Sequence, residues 1–141
     1  MIKQLAHICI KTNQFEKAIV FYRDVIGLPV KFTLKLDDGA VFGYYFDLGG
    51  TSFLELFDQA GAAKMWGGAE RTLAPHQDLF YQHFCLQVEG LEETRDALLK
   101  KGLAVTPIAL GIDFSRQCWI KDPDGNDIEL MEYTPKSLQL G

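Results

Sequence analysis

The sequence predicts an α+β fold in which a single strand–helix–strand–strand–strand module, βαβββ, occurs twice in tandem. The strand-like run Leu5–Ile10 returns as Tyr81–Leu86, and each run contains His-x-Cys at the same place. In both halves a helical pattern then ends at a glycine, and three strand-like runs follow it. We therefore expect one domain over residues 1–141, with module 1 over about 4–58, a connecting loop over about 59–80 and module 2 over about 81–133.

In module 1, the two-residue period of a strand places His7 and Cys9 on one face of the first strand. Apolar residues then recur at helical spacing from Ala18 to Ile26, with Asn13 as the predicted N-cap and Gly27 as the end of the helix. Strands are predicted over 28–36, 41–48 and 51–57, with turns at 37–39 and 49–50.

In module 2, His83 and Cys85 share a face of the first strand in the same way. The helical stripe consists of Leu91, Thr94, Leu98 and Leu99, and Gly102 ends the helix. Strands are predicted over 103–110, 115–121 and 127–133, and the Asp-Pro-Asp-Gly-Asn run at 122–126 forms the last turn.

The last strand of each module carries an acid among apolar residues. Glu55 lies within Phe-Leu-Glu-Leu-Phe and Glu129 within Ile-Glu-Leu-Met. Glu55 follows His7 by 48 positions and Glu129 follows His83 by 46, so the repeat includes the polar residues as well as the fold. A carboxylate in an apolar strand is costly unless it is paired or coordinated.

Matched histidines and glutamates indicate a metal site built from His7, Glu55, His83 and Glu129. The alternative is that each acid pairs with an arginine or lysine, or lies on an exposed edge strand. Two imidazoles and two carboxylates suit one divalent transition metal, and ligand softness alone does not choose among Ni, Zn, Co, Mn and Fe.

Composition narrows the partners and the compartment. The net charge is −5 and there is no basic cluster, which argues against nucleic acid and anionic membranes. No apolar run approaches the roughly 20 residues of a membrane span, and the N-terminus lacks a signal-peptide pattern. Three cysteines without C-x-x-C spacing indicate reduced thiols, and Cys9 and Cys85 are interpreted as small packing residues. We expect a cytoplasmic protein that acts on a small molecule.

Two segments resemble the vicinal-oxygen-chelate superfamily of glyoxalases, bleomycin-resistance proteins and dioxygenases. They are Phe21–Leu28 and Asp122–Leu130, and the resemblance covers roughly residues 4–133. The ligand set is most similar to that of bacterial glyoxalase I. The resemblance implies a curved-sheet cup around the metal, ligands His7, Glu55, His83 and Glu129, catalytic roles for the two glutamates, and a homodimer. Whether the cup closes within one chain or between two is left open.

The sequence departs from glyoxalase I where that family contacts glutathione. Lys11 stands where the family has an arginine, and a lysine cannot form the bidentate fork. Gln59 stands where the family has an asparagine, and Leu79 replaces a second arginine. The resemblance therefore supports the family's metal chemistry better than its glutathione site. It leaves open which thiol and which substrate the protein uses.

Four residues are predicted to contact substrate: Lys11, Gln59, Trp66 and Arg116. Trp66 lies in the 59–80 segment, interpreted as a lid or a partner-contacting arm, with an ordinary surface loop as the alternative. Arg116 either meets an anionic substrate or is simply solvated. His76 is interpreted as a surface residue of that loop.

The resemblance implies a lactoylglutathione lyase-like enzyme, a metal-dependent lyase or isomerase. Such an enzyme converts a 2-oxoaldehyde–thiol hemithioacetal to a 2-hydroxyacyl thioester by metal-assisted proton transfer. The alternatives within the superfamily are an extradiol-type dioxygenase, an epimerase and a thiol transferase. A fourth protein ligand argues against the dioxygenase, because such an enzyme needs open coordination positions on its iron. An alternative of another class is a non-catalytic drug-binding resistance protein, since ten phenylalanines and two tryptophans could line a pocket.

Overall fold

A computed structural model describes residues 5–73 and 83–140 and divides the chain into two compact units, Met1–Ala74 and Pro75–Gly141. Each unit contains one open, four-stranded mixed sheet together with helices. The predicted α+β class and the tandem repeat are confirmed.

Unit 1 contains four strands and two helices. The strands are β1 His7–Thr12, β2 Val30–Lys35, β3 Val41–Asp47 and β4 Phe53–Asp58; the helices are α1 Phe15–Val20, continued by a π-helical turn over Phe21–Val25, and α2 Gln59–Trp66. The strand order is β1-β4-β3-β2, with β1 parallel to β4 and the other pairs antiparallel. The first and last strands of the module thus lie side by side.

The core of unit 1 is aromatic and aliphatic. Tyr22, from the π-helical turn, is fully buried and packs near Phe46 with ring centroids 6.0 Å apart. Gly27 then ends the helical segment at φ 86°, a conformation that favours glycine, as predicted. A second cluster consists of Phe42, Phe57 and Ala62 and joins α2 to the sheet.

Unit 2 repeats the plan. Its elements are β5 His83–Gln87, α3 Leu91–Lys100, β6 Ala109–Leu110, β7 Arg116–Lys121, β8 Asp127–Glu132 and a 3₁₀ turn Leu138–Leu140. The strand order is β5-β8-β7-β6, with β5 parallel to β8. Leu91 and Leu98 of α3 are buried, as the apolar stripe predicted. Leu99 is 40% exposed, so its assignment to the buried stripe was wrong.

The prediction that Asn13 caps the first helix was wrong. The helix begins at Phe15 after Gln14, whose backbone N–H donates to Thr12 Oγ1. The Asn13 side chain donates to the Arg71 carbonyl and accepts from the Leu73 N–H. Asn13 is thus used to hold a distant segment, 58 to 60 positions along the chain, instead of the start of its own helix.

The predicted strand over 103–110 is reduced to Ala109–Leu110. Pro107 has no N–H to donate to a neighbouring strand, which explains the interruption. Thr106 keeps a link to β7, because its N–H donates to the Trp119 carbonyl and its hydroxyl accepts from the Trp119 N–H.

The segment predicted as a loop from residue 59 begins instead with α2. Asp58 caps this helix, since its carboxylate accepts the Gly61 N–H at 2.7 Å. Gly61 is also needed for packing, because a Cβ there would lie 2.4 Å from Phe42 Cβ. The remainder of the loop is described as far as Leu73, and its residues 74–80, including His76, lie outside the described part of the chain. Within residues 5–73 and 83–140, no helix is long and apolar enough to cross a lipid bilayer.

Candidate functional site

The first His–Glu pair forms because β1 and β4 are parallel neighbours. His7 lies beside Phe53 and Cys9 beside Glu55 in the register of the two strands. His7 Nε2 is 3.5 Å from Glu55 Oε1. The Glu55 side chain is 8% exposed and that of His7 is 51% exposed, so a buried carboxylate meets an accessible imidazole.

Two further side chains donate hydrogen bonds to Glu55: the Cys9 thiol and the Tyr45 hydroxyl. Tyr45 lies directly opposite Glu55 on β3. Although Cys9 keeps part of its surface exposed, loss of solvation and the nearby Glu55 carboxylate raise the pKa of its thiol to about 11. The same causes raise the pKa of Tyr45 to about 12. Both groups are therefore protonated donors at neutral pH.

The second pair repeats the first in the register of β5 and β8. Cys85 lies beside Glu129, and His83 Nε2 is 3.2 Å from Glu129 Oε2. Burial, followed by the Glu129 carboxylate, raises the pKa of the Cys85 thiol to about 12, and this thiol donates to Glu129. The position opposite Glu129 is Trp119, whose ring meets the His83 ring edge-on at 4.8 Å.

The two carboxylates lack the ion-pair partners that the alternative interpretation required. Within residues 5–73 and 83–140, neither Glu55 nor Glu129 lies within salt-bridge distance of a lysine or arginine, and the ion pair that each forms is with its histidine. Each pair contains two ligand side chains, and the described residues contain no cluster of three or more. Imidazole nitrogen and carboxylate oxygen are nevertheless the donor types that fit a divalent transition metal.

A cavity of about 300 Å³ lies in unit 1 beside the first pair's strand. Three of the four predicted substrate-contacting residues line it, namely Lys11, Gln59 and Trp66, together with Arg71 and small residues of α2 and the following segment. Lys11 shares the face of β1 that carries His7 and Cys9. Sequence reasoning did not select Arg71, because it lies in a segment without periodicity.

Gln59 lines the cavity but its amide is engaged within the protein. Its Nε2 donates to the Ala69 carbonyl at 3.0 Å and its Oε1 accepts the Arg71 N–H at 2.9 Å. The side chain is thereby used to fold the segment after α2 against the helix. Trp66 is 58% exposed and packs edge-on against Phe42 and Phe57, with ring centroids 5.4 and 5.1 Å away.

Arg116 is placed differently from the other three. Its guanidinium donates to Glu92 and, at 2.8 Å, to Glu132. The pKa of Glu92 is held below its usual range by this arginine. The charge of Arg116 is thus compensated by two carboxylates of its own unit.

The fold and the two pairs define the class of the protein: an α+β chain of two βαβββ repeats, each with a buried glutamate facing a histidine across parallel strands. The model of the Glyoxalase/Bleomycin resistance protein/Dioxygenase superfamily matches residues 4–130, and the chain belongs to this superfamily.

Individual relatives are more distant. The chain is 28% identical over 130 residues to the uncharacterized protein YraH of Bacillus subtilis (strain 168), which covers 90% of this chain and 96% of that protein. It is similar to the structure of lactoylglutathione lyase from Agrobacterium tumefaciens, with a TM-score of 0.68, 25% identity and 96% of each chain covered. It shares its fold with TnmS3, an antibiotic binding protein from a Streptomyces species, with a TM-score of 0.69, 20% identity and 94% and 98% of the two chains covered.

Proposed function

We propose that this protein is a metal-dependent enzyme of the glyoxalase I type, with His7, Glu55, His83 and Glu129 as metal ligands. The supporting observation is the repeated pair: two buried glutamates, at equivalent registers, each with a histidine nitrogen within 3.5 Å and without a lysine or arginine partner in the described residues. Burying a carboxylate without a cationic partner that is always charged is unfavourable, and metal coordination would remove that cost.

The proposed substrate is a hemithioacetal of a 2-oxoaldehyde and a thiol, and the product is a 2-hydroxyacyl thioester. A divalent metal held by these residues would supply a Lewis acid that polarises the substrate carbonyl. The reaction moves the C–H proton from the carbon that carries sulfur to the neighbouring carbonyl carbon, and the hydroxyl proton from the first oxygen to the second, so no oxidant or reductant is needed. A glutamate carboxylate takes the proton from the first carbon and returns a proton to the second.

The two glutamates are not equally free to do this. Glu55 accepts hydrogen bonds from Cys9 and Tyr45, whereas Glu129 accepts one from Cys85. A carboxylate fixed by two donors is better suited to stay in place than to swing toward a substrate carbon. We therefore assign Glu129 the larger part in proton transfer and Glu55 the larger part in holding the metal.

The first test is the metal content of the purified protein by elemental mass spectrometry. The wild type is compared with Glu129→Ala and with Glu16→Ala, which removes an exposed carboxylate of α1. We expect about one transition metal per chain in the wild type and the control, and a lower content in Glu129→Ala, which lacks one of the four ligands.

A protein that takes up none of Ni, Co, Mn, Zn or Fe would overturn the proposal and favour the non-catalytic binding protein. With metal bound, isomerase assays with methylglyoxal and several thiols are compared with oxygen uptake on catechols. Oxygen uptake in place of isomerase activity would identify the dioxygenase.

A further inference from the structure

We propose that residues 67–73 form a gate to the unit 1 cavity: a strap that pivots at Gly67 and Gly68 and is held closed by the side-chain amides of Gln59 and Asn13. Four residues of this strap lie in the wall of the cavity. The inference goes beyond the proposed function, because it concerns entry to the cavity and involves neither a metal nor turnover.

The strap is held by hydrogen bonds to side chains. Gln59 donates to the Ala69 carbonyl at 3.0 Å and accepts the Arg71 N–H at 2.9 Å. Asn13 donates to the Arg71 carbonyl at 3.1 Å and accepts the Leu73 N–H at 2.6 Å. This alternation of residues 69, 71 and 73 is that of one edge of a β-strand, and the two carboxamides make the hydrogen bonds that a neighbouring strand would make. The closed state therefore depends on two side chains and can be lost without unfolding the sheet.

The two amides lie side by side because of the register of the sheet. Thr12 and Asp58 are the last registered pair of the parallel strands β1 and β4, and Asn13 and Gln59 are the next residue of each strand's chain. Gln59 is 6% exposed, whereas Asn13 is exposed and its hydrogen bonds are open to competition from water. The hydrogen bonds of Asn13 are therefore expected to break first.

The strap buries little apolar surface. Residues 67–72 are exposed and Leu73 is only partly buried. In the part of the chain that the structure describes, positions 69–73 form no hydrogen bond with another backbone group. The entropy lost in ordering the strap is thus opposed mainly by the hydrogen bonds of the two amides. Segments with so few buried contacts open locally, at free energies well below that of global unfolding.

The strap joins α2 through two glycines. Gly67 has φ 83° and Gly68 has φ 110°, and a Cβ on either would meet no atom within 4 Å. Both positions therefore require glycine for the backbone conformation and not for space. The helix before them is fixed, because Gly61 packs so closely on Phe42 that a Cβ there would lie 2.4 Å from Phe42 Cβ. Rotation at the two glycines can then move the strap while α2 stays in place.

The first experiment is amide hydrogen exchange of the full chain, followed by NMR at Arg71 and Leu73, with the buried β4 residue Leu56 as the reference. We expect both strap amides to exchange more slowly than in a peptide of the same sequence and faster than Leu56, with Leu73 less protected than Arg71. Low concentrations of guanidinium should accelerate Leu56 but not the strap, because local opening exposes little surface. Strap exchange that follows Leu56 at every guanidinium concentration would show a fixed wall and overturn the inference.

Substitutions of the two amides test which side chains hold the strap. Gln59→Met and Asn13→Leu keep the size of the side chain and should accelerate exchange at Arg71 and Leu73 respectively by about tenfold. Asn13→Asp keeps the acceptor for the Leu73 N–H and should accelerate exchange less. Gln87→Met, which removes an exposed amide of β5, is the matched control and should change neither rate. Unchanged exchange in both Gln59→Met and Asn13→Leu would also overturn the inference.

The second experiment measures access to the cavity. Ala63 lines the cavity and is partly buried, so the thiol of Ala63→Cys reports entry of iodoacetamide. Its alkylation, measured by peptide mass spectrometry, should rise in the Gln59→Met background by about the factor found for the Arg71 amide, and should not change with Gln87→Met. Faster amide exchange without faster alkylation would mean that the strap moves without opening the cavity, which contradicts a gate.

The metal content of the same samples separates this inference from the proposed function. A strap that opens as described in a protein that binds no metal supports the gate and counts against the metal enzyme. A fixed strap in a protein that holds metal and isomerises its substrate has the opposite meaning.

Discussion

The two His–Glu pairs occupy equivalent registers but have different neighbours. In unit 1, Tyr45 lies opposite Glu55 and donates to it; in unit 2, Trp119 lies opposite Glu129 and packs on His83 instead. A phenol can fix a carboxylate, whereas an indole ring against an imidazole fixes the histidine. The duplication has thus kept the polar pair and changed the group that restrains it.

The surroundings of the two sheets differ as well. In unit 1, α2 follows β4 directly and forms one wall of the cavity, while the described residues after β8 form only a short 3₁₀ turn. The cavity makes unit 1 the candidate for substrate binding, and the proposed function assigns proton transfer to Glu129 of unit 2. The experiments below test this division, from the largest expected effect to the smallest.

The sharpest test compares Glu129→Gln with Glu55→Gln in the metal-loaded enzyme. Under the proposed function both variants lose isomerase activity, and kcat falls by about 100-fold or more for Glu129→Gln because a general base is lost. We expect a smaller fall in kcat and weaker metal retention for Glu55→Gln. Steady-state kinetics and metal analysis on the same samples measure both. Full activity in the two variants would contradict the proposal, and a larger fall in Glu55→Gln would reverse the assignment.

Core truncation should affect the two units equally. Leu56 and Leu130 hold equivalent positions after the glutamates and are 0% and 2% exposed. Leu56→Ala and Leu130→Ala should each lower the free energy of unfolding by about 2–5 kcal/mol, from lost burial and a residual cavity. Guanidinium unfolding is followed by fluorescence in Trp119→Phe and Trp66→Phe backgrounds, which report units 1 and 2 respectively. Leu99→Ala, at a 40% exposed position, serves as the control; an equal loss there would contradict the burial argument.

The two cysteines should differ in reactivity with iodoacetamide. The thiolate is the reactive form, and the pKa values of about 11 for Cys9 and about 12 for Cys85 keep both thiols protonated near pH 8. Alkylation of the metal-free protein should therefore rise with pH up to those values, with Cys9 reacting faster than Cys85. Peptide mass spectrometry measures both rates, and unfolded protein is the control. Glu129→Gln should accelerate Cys85 alone; rapid reaction of both at pH 8 would refute the expectation.

The smallest effect is expected from Arg116→Gln. The ion pairs of Arg116 with Glu92 and Glu132 are exposed to solvent, and such pairs contribute little to stability. The substitution should leave the KM for the substrate unchanged, because the charge of Arg116 is already compensated by the two carboxylates. A rise in KM for Arg116→Gln would contradict this expectation and support the interpretation of Arg116 as a substrate-binding residue.

Local pattern predicted the parts of the fold that repeat. The alternation around His7 and His83, the helical stripe before Gly27 and the turn at 122–126 are all set by neighbouring residues. The pairing of each histidine with its glutamate could also be predicted, because nearly the same number of positions separates the two residues in both modules. Secondary structure that depends on nearby residues can be predicted, because its hydrophobic period is visible in the sequence.

Elements that depend on distant partners were not predicted. The helix α2 is short, and its start is fixed by Asp58 and by the fit of Gly61 against Phe42. Asn13 was assigned to its own helix although its amide binds residues 71 and 73. The contacts of Asn13 and Gly61 are tertiary, whereas the Asp58 cap is a local signal that sequence reasoning missed.

The sequence by itself determined the duplicated α+β plan and the four polar residues that the proposed function uses, because hydrophobic period and matched spacing are properties of the chain alone. Only the tertiary structure decided which side chains face Glu55 and Glu129. Cross-strand neighbours depend on register, and register depends on turns and irregularities such as those between β2 and β3. It also decided that Lys11 and Arg71, sixty residues apart, line one cavity, since that proximity arises from the packing of α2 and the hydrogen bonds of Gln59 and Asn13.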